Sequence, residues 1–436
     1  MSWLLVGLAW AEKTAEVPSG EYATVEAACD DEAVTTIVVQ PDAEPGGSCR
    51  VSRDLTIQAA DPEQRSAVPL MIVYGDLTLH GPLEIIEEGG GEAVTVHGGR
   101  VSSRDLRLYG GDRGGFYGLR LDGGEFNAED LQVEGFYQGL YVQGAGSVLE
   151  VSGGSLVDNG LAVSTNNAAF GAEVQLEGLD FSGNSEGVYL QAGGGSIRGC
   201  SFKKNQGTLI SVGSGSGAEL VGDLFIENES ASGVIYARSD LGISDSYFCG
   251  NQGPAIWADG VKVGLDRVGF VANSQALVGV DATVEADHVS LVGDGEGFKL
   301  SAGSLKLTNS LLWESAPLAV SGAAVSGDHN AYESEPPSMG PGDGDLEITD
   351  PGFWSGFVAD DCSNLPWLAE DSVLLGAASD GASIGAYEVW TEEQQDTGLG
   401  DSGADADRSW FSGGCSGALP ALLVLALPGL ALTRRR

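Results

Sequence analysis

Short apolar segments alternate with glycine-containing turns along most of this chain, which predicts strands rather than helices. Five segments share a Phe-x-x-Asn pattern, and their Asn residues are separated by 21, 23, 23 and 22 residues. Three strands and three turns within about 22 residues correspond to one coil of a parallel β-helix. The repeated residues are Phe181, Asn184, Phe202, Asn205, Phe225, Asn228, Phe248, Asn251, Phe270 and Asn273.

This repeat predicts an all-β fold, a right-handed parallel β-helix of about 12 coils over residues 61–335. Coils in such a stack lie about 4.8 Å apart, so the rod would be roughly 60 Å long, with each Phe ring above the one before it. We expect the Asn to occupy the left-handed turn positions and to form a ladder of amide hydrogen bonds. Residues 12–60 would form an N-terminal cap and the first coils, with a short helix over Tyr22–Ala28.

The excess of acidic residues limits the kinds of molecule that this protein can bind. The chain has 63 acidic and 21 basic residues, a formal net charge of −42. Because such a surface repels phosphate groups, we expect no nucleic acid partner. Nothing in the composition calls for an oligomer, and we expect a monomer.

The six cysteines include one pair suited to a disulfide. Cys29 and Cys49 are 20 residues apart near the N-terminus and would link that end in an oxidising compartment. The pairing of Cys200, Cys249 and Cys362 is left open by their spacing. With no Cys-x-x-Cys motif and only four His, a zinc or redox site is not indicated.

Both termini predict export. Residues 1–11 are mostly apolar and end in Ala9-Trp10-Ala11, the pattern of a signal-peptide cleavage site. Residues 391–412 are acidic and rich in Gly and Ser, which indicates a disordered linker or stalk. Residues 413–436 contain Cys415, an apolar stretch and three terminal Arg, which predicts a transmembrane tail that anchors the protein to a membrane.

Two resemblances add to this interpretation. The Gly-Cys, apolar stretch and basic end resemble the MYXO-CTERM sorting signal, which implies processing at Cys415 and attachment to the outer cell surface. Residues 336–390 contain Thr349-Asp-Pro-Gly-Phe353 and Ile384-Gly-Ala-Tyr-Glu388, with Ser372-Val373 where a Ser-Pro pair is usual. These motifs resemble the choice-of-anchor end of right-handed β-helix repeat proteins, and the resemblance implies surface display without implying an activity.

A catalytic site has only weak candidates. Aligning the coils places Arg238, Asp259 and Asp281 at one position on three successive turns, with Lys262 close by. A lyase needs a base beside a charge-neutralising group, which this set would supply, but a ladder of surface charges is the preferred explanation. The four His occupy unrelated positions in the repeat, so a His-based triad is not supported.

Two functions remain open. The first is a non-catalytic surface scaffold for binding or adhesion, whose partner would be an extracellular glycan or a surface protein. The second is a polysaccharide lyase or glycoside hydrolase acting on an acidic polysaccharide. We expect no resident cofactor or metal; calcium is the ion to consider if one is bound. The two functions differ in whether Arg238 and its neighbours share an open groove or a convex surface.

Overall fold

The structure, a computed structural model, describes residues 13–111, 114–314, 318–333, 342–353, 355, 357–358, 362 and 365–387. The predicted signal peptide (1–11), linker (391–412) and tail (413–436, including Cys415) lie outside the described residues. Among the described residues, no helix has the length and apolar character needed to cross a bilayer.

Three parallel sheets run the length of the molecule, and the chain visits them in the order sheet 1, sheet 2, sheet 3 in each coil. Sheet 1 contains Lys13–Val17, Val34–Val39, Leu55–Ala59, Glu173–Glu177, Gly194–Arg198, Gly217–Val221, Leu241–Ser244, Lys262–Asp266 and Ala324–Asp328. Sheet 2 contains Ser66–Ala67, Asp180–Ser182, Ser201–Lys203, Leu224–Ile226, Tyr247–Cys249, Gly269–Val271, Ser290–Val292, Leu311–Trp313, Ala331–Tyr332 and Leu346–Glu347. Sheet 3 contains Ser48–Val51, Leu70–Val73, Glu92–Val96, Gly115–Leu121, Phe136–Val142, Leu161–Thr165, Glu186–Leu190, Ile210–Val212, Ile235–Ala237, Pro254–Asp259 and Leu318–Ser321.

Six long strands turn a corner and belong to two sheets each. Those shared by sheets 1 and 2 are Asp76–Ile86, Arg100–Tyr109, Glu125–Glu134 and Val148–Val157. Those shared by sheets 3 and 1 are Gln275–Asp287 and Glu296–Thr308. The solenoid has about 14 turns, so the parallel β-helix is confirmed, but the expected number of about 12 coils was too low. The difference arises at the N-terminal end, where Lys13–Val17, Val34–Val39 and Leu55–Ala59 already stack as coils before residue 61.

The N-terminal end differs from the predicted cap. The single helix among the described residues, Val25–Asp30, begins at Thr24, whose hydroxyl accepts a hydrogen bond from Ala27 N at 3.1 Å. Strand Lys13–Val17 precedes this helix and pairs in parallel with Val34–Val39. The helix therefore follows the first strand of sheet 1 instead of covering it.

The Phe of the repeat fill the interior of the central coils. All five are buried, and successive rings are stacked with centroids 4.4, 4.8, 4.5 and 5.0 Å apart. Their registers place Phe181 on Phe202 and Phe202 on Phe225, and so on through Phe270. Stacking at this distance adds to the hydrophobic gain of burying each ring.

The Asn residues form a ladder at the corner between sheets 2 and 3. Asn228 is representative: its Nδ2 donates to Phe202 O at 2.9 Å and to Asn251 Oδ1 at 3.0 Å. Its own Oδ1 accepts from the backbone N and the Nδ2 of Asn205, at 3.0 and 3.2 Å. The ladder begins at Asn159 and ends on Asp294.

The left-handed residue at this corner is not the Asn, contrary to expectation, but the residue before it. Lys204, Glu227 and Ala272 have φ of 53–55°, and Gly183 and Gly250 take the same role in other coils. The left-handed residue turns the chain, and the Asn that follows is buried. The Asn is selected for its buried amide and not for its backbone conformation.

The C-terminal segment, residues 348–387 where described, packs along the outer face of sheet 2. There it covers a second apolar cluster that includes Leu224, Tyr247 and Val271. Tyr387 is buried against Tyr247, with ring centroids 6.2 Å apart, and Gly385 N donates to Asn309 O at 2.7 Å. A disulfide joins Cys249 of sheet 2 to Cys362 of this segment, which we call the C-terminal strap.

The other cysteines are also placed. Cys29 and Cys49 form a disulfide with their Cα atoms 5.6 Å apart. Cys200 has a free thiol in the interior of the β-helix. Burial raises the pKa of this thiol, so it is neither reactive nor available for pairing.

Candidate functional site

The strands of sheet 3 bend in most coils. The outer face of this sheet is therefore folded inward along a line parallel to the long axis of the molecule. In most coils two successive residues of this sheet both point inward, as do Val234 and Ile235, or Ala255 and Ile256. A regular strand alternates its side chains, so two inward residues in a row require the strand to bend. The residues on either side of the bend then converge outside it.

Contacts across the bend show this convergence. Lys299 Nζ lies 3.1 Å from Glu296 Oε2, and Thr95 donates a hydrogen bond to Glu92, although each pair is three residues apart on one strand. Residues three apart on a straight strand would lie on opposite faces. The bend therefore creates a longitudinal channel, which we call the sheet 3 groove.

One wall of the sheet 3 groove carries several aromatic rings in one column. Strand pairing places one residue per coil in a single outward column. In order, this column contains Arg120, Tyr141, Ser164, Tyr189, Ser211, Tyr236, Trp257, Val278 and Lys299. From Tyr141 to Tyr236, aromatic residues and serines alternate. The rings of Tyr189, Tyr236 and Trp257 are half-buried, so part of each faces the groove.

Four rings form a continuous platform near the start of the groove. Tyr117 and Tyr141 are stacked with centroids 4.8 Å apart, and Phe116 and Tyr137 with centroids 5.2 Å apart. Phe116 also meets the edge of Tyr117, which joins the two pairs. Tyr137 is 62% exposed, so this end of the platform is open to a ligand.

Charges in the groove are balanced by contacts inside it. Arg120 Nη1 lies 2.9 Å from Glu92 Oε1 at one end, and Lys299 pairs with Glu296 at the other. Between them the groove presents neutral groups such as Gln138, whose Oε1 accepts from Ser164 Oγ at 3.2 Å, and the exposed carboxylate of Glu186 in the same line as Gln138. The groove is thus close to neutral in a strongly acidic protein.

The predicted catalytic cluster is only partly assembled. Ala237 pairs with Ala258, so Arg238 and Asp259 lie in one column as expected. Asp259, however, pairs with Val280, which places Asp281 one residue beyond that column, in a left-handed turn at φ 50°. The alignment was wrong at this coil because the turn between Val271 and Gln275 is one residue shorter than the turn between Cys249 and Pro254 in the coil before.

The remaining members of the cluster have structural partners. Arg238 Nε donates to the Tyr236 hydroxyl at 2.8 Å, and its guanidinium lies 5.1 Å from the Tyr236 ring centroid. Lys262 lies on sheet 1, where its Nζ is 2.9 Å from Glu285 Oε2. Arg238 is therefore on the rim of the sheet 3 groove, whereas Lys262 belongs to a charge pair between coils on a different sheet.

Two of the four His share a position in the repeat, contrary to expectation. His288, Asn309 and His329 occupy successive coils at the corner between sheets 1 and 2, each with φ near 50°. His, Asn and Asp tolerate this conformation better than most residues, which explains their recurrence. Asp266, Asp287 and His288 bring ligand atoms within 4.8 Å of one another. Arg267 already pairs with Asp266 at 2.7 Å, and Asp287 accepts from Asn309 at 2.8 Å.

A second, shallower depression lies on sheet 1. It measures about 390 Å³ and is lined mainly by polar residues, among them Asn127, Glu150, Gln175 and Arg198. These side chains come from successive coils of one flat sheet, and the depression contains no aromatic ring among its lining residues.

Sequence reasoning missed the sheet 3 groove, although its signal is present. The segments Glu186-Gly-Val-Tyr189, Gly233-Val-Ile-Tyr236 and Pro254-Ala-Ile-Trp257 each place two small or aliphatic residues before an aromatic one. Two inward residues followed by an outward ring indicate a bent strand. The sequence pattern predicts only straight strands here, because a half-buried strand normally alternates inward and outward residues.

The comparisons with known proteins agree with the fold. The family model described as "Right handed beta helix region" matches residues 117–330. No protein of curated function matches the sequence. Among solved structures, the chain is similar to one titled "a new PL6 alginate lyase complex with trisaccharide", at 11% identity and a TM-score of 0.42, over 86% of this chain and 95% of that chain. This distant likeness says nothing about activity. The family match covers just under half of the chain and agrees with the stacked parallel coils of the structure.

Proposed function

We propose that this protein is an exported scaffold, displayed at the cell surface, that binds a glycan along the sheet 3 groove without transforming it. The observation that carries the proposal is the column in which Tyr141, Tyr189 and Tyr236 alternate with Ser164 and Ser211. A long, rigid channel with rings at repeated intervals suits a long, repetitive ligand.

The chemistry of the groove matches that of a sugar. One face of a pyranose ring presents C–H groups that pack on an aromatic ring, while its hydroxyls require hydrogen-bond partners at the edge. Tyr141 supplies such a ring, and its hydroxyl already accepts from Asn166 Nδ2 at 2.8 Å, which holds the ring in place. Gln138, which is partly exposed, provides a neutral polar group beside it.

The same geometry argues for binding without catalysis. A glycosidase requires two opposed carboxyl groups, and a lyase requires a free base near the sugar carboxylate. Along the groove, Glu92 and Glu296 are each paired with a cation, and Arg238 is held on Tyr236. None of these residues is arranged as an acid and base pair.

Export is supported by the cysteines. The two disulfides, Cys29–Cys49 and Cys249–Cys362, are expected to persist only in an oxidising compartment. The signal peptide, the acidic linker and processing at Cys415 belong to the same proposal, since they would carry the rod to the surface and retain it there.

Affinity electrophoresis against a panel of soluble polysaccharides tests the proposal, with a parallel assay for new reducing ends and unsaturated products. We expect retardation by at least one glycan, loss of retardation in Tyr141→Ala, and no product. Product formation that is lost in Arg238→Ala would replace the proposal with an enzymatic function. No retardation by any glycan would refute it.

A further inference from the structure

We infer that the ligand of the sheet 3 groove is a neutral, extended polysaccharide with twofold symmetry, of the β-1,4-linked type, lying parallel to the long axis. This inference rests on the proposed function and specifies its ligand. Three features of the groove carry it: its direction, the alternation of its rings and its charge.

The direction and spacing of the groove match an extended sugar chain. Adjacent coils lie about 4.8 Å apart, which is close to the advance of one sugar in an extended polysaccharide. A chain lying along the groove would therefore place one sugar over each coil. A chain crossing the groove would contact only the rings of one or two coils.

The alternation of rings specifies the symmetry. In a twofold chain each sugar is rotated by half a turn relative to the last, so the same face recurs at every second sugar. Tyr141, Tyr189 and Tyr236 likewise recur at every second coil, with Ser164 and Ser211 between them, until Trp257 in the coil after Tyr236 ends the alternation. Each ring would stack on one sugar face, and each serine would leave room for the substituents of the sugar between.

The charge of the groove disfavours a polyanion, although Arg238 on its rim contacts Tyr236 and, among the described residues, not a carboxylate. Arg120 and Lys299 are already neutralised by Glu92 and Glu296, so neither offers an unpaired positive charge to a uronate. The molecule as a whole carries a formal charge of −42, which repels a polyanion at long range. A neutral ligand needs no unpaired cation in the groove and is not repelled by the acidic protein.

Calorimetric titration with three hexasaccharides tests the inference. β-1,4-Mannohexaose is neutral and extended, the β-1,4-linked mannuronate hexamer shares its linkage but carries carboxylates, and β-1,3-glucohexaose is neutral but curved. We expect mannohexaose to bind at least about tenfold more tightly than either of the others. Equal or tighter binding of the mannuronate hexamer or of the β-1,3 hexamer would overturn the inference while leaving glycan binding intact. Failure of all three, together with failure of the polysaccharide panel, would overturn both.

Variants locate the binding to the alternating rings. Tyr189→Ala should weaken mannohexaose binding about tenfold, since a central aromatic contact commonly contributes this much, and Tyr189→Phe should retain most of the affinity. Phe170→Ala is the matched control, because Phe170 is a 72% exposed ring on a turn outside the groove. Equal losses in Tyr189→Ala and Phe170→Ala, with unchanged melting temperatures, would contradict the assignment.

Discussion

Asp294 has a carboxyl oxygen where the Asn of the other coils have an amide nitrogen, and this difference makes the buried ladder sensitive to pH. It occupies the position that Asn holds in the six preceding coils, and its Oδ1 accepts from Asn273 N and Nδ2 at 2.7 and 3.0 Å. Burial raises the pKa of its carboxyl to about 7. Asp223, which is buried at the corner between sheets 1 and 2, likewise has a pKa raised by burial. These carboxyl groups favour the protonated form in the folded state.

Asp294→Asn should therefore stabilise the protein at neutral pH. The unfolded chain loses its Asp294 proton near pH 3.8 and the folded chain near pH 7, so the wild type loses stability as pH rises between these values. The amide cannot ionise, and the advantage of the variant should grow from near zero at pH 4 to a few kcal/mol, at most about 4, above pH 7. Thermal unfolding of both proteins from pH 4 to 8 measures it.

The reverse substitution, Asn228→Asp, is the control for this effect. It puts an ionisable group into the same ladder and should destabilise the protein increasingly as pH rises. An Asp294→Asn advantage that did not change with pH would show that ionisation of Asp294 is not its cause.

At the scale of the element, the Asn ladder depends on each member because every amide serves two neighbours. Asn228→Ala would leave Asn205 N and Phe202 O without their side-chain partners in a buried corner. We expect a loss of about 3 kcal/mol in unfolding free energy, since unmade buried hydrogen bonds cost about 1–3 kcal/mol each. Denaturant titration measures it, and Lys203→Ala on the neighbouring strand, whose side chain is partly exposed, should change stability by less than about 0.5 kcal/mol.

The C-terminal strap is a second element whose role can be tested. The double variant Cys249→Ser, Cys362→Ser removes the link between strap and sheet 2. We expect faster hydrogen exchange in residues 365–387, because the strap would open without unfolding the coils. Exchange of the Phe-x-x-Asn coils should stay slow. The matched control is Cys29→Ser, Cys49→Ser, which should leave strap exchange unchanged; equal exchange in both variants would mean that packing alone holds the strap.

At the scale of the whole molecule, many of the few basic residues form ion pairs between neighbouring coils. Arg107 contacts Glu84 and Glu134 in the coils on either side, at 3.0 and 2.9 Å, and Arg267 contacts Asp245 at 2.6 Å. Such partly exposed pairs contribute little stability each. Their larger effect is on the field around the molecule, which stays strongly negative outside the neutral groove.

Binding in that groove should be insensitive to salt. A neutral ligand gains nothing from long-range attraction, so its affinity should change by less than about twofold between roughly 0.05 and 0.5 M salt. Titration of mannohexaose at several ionic strengths measures it. A steep loss of affinity with salt would indicate a charged ligand and contradict the proposed chemistry.

Much of the fold was readable from the repeat, and much of the site was not. The spacing of Phe202 and Phe225 predicts a coil because the same interior position recurs at each turn. The offset of Asp281 was missed because a turn of different length changes the register without changing the local pattern. Cys362 could not be assigned to Cys249, 113 residues away, because no local spacing encodes the path of the strap.

The amino-acid sequence by itself determined the parallel β-helix, since a period near 22 residues with inward Phe admits few other folds. Only the tertiary structure decided that the strands of sheet 3 bend and that Tyr141, Tyr189 and Tyr236 line one channel. The physical reason is that periodicity reports which residues face the interior of each coil. The curvature of the outer surface depends on how successive coils pair, and that pairing joins residues more than 20 positions apart.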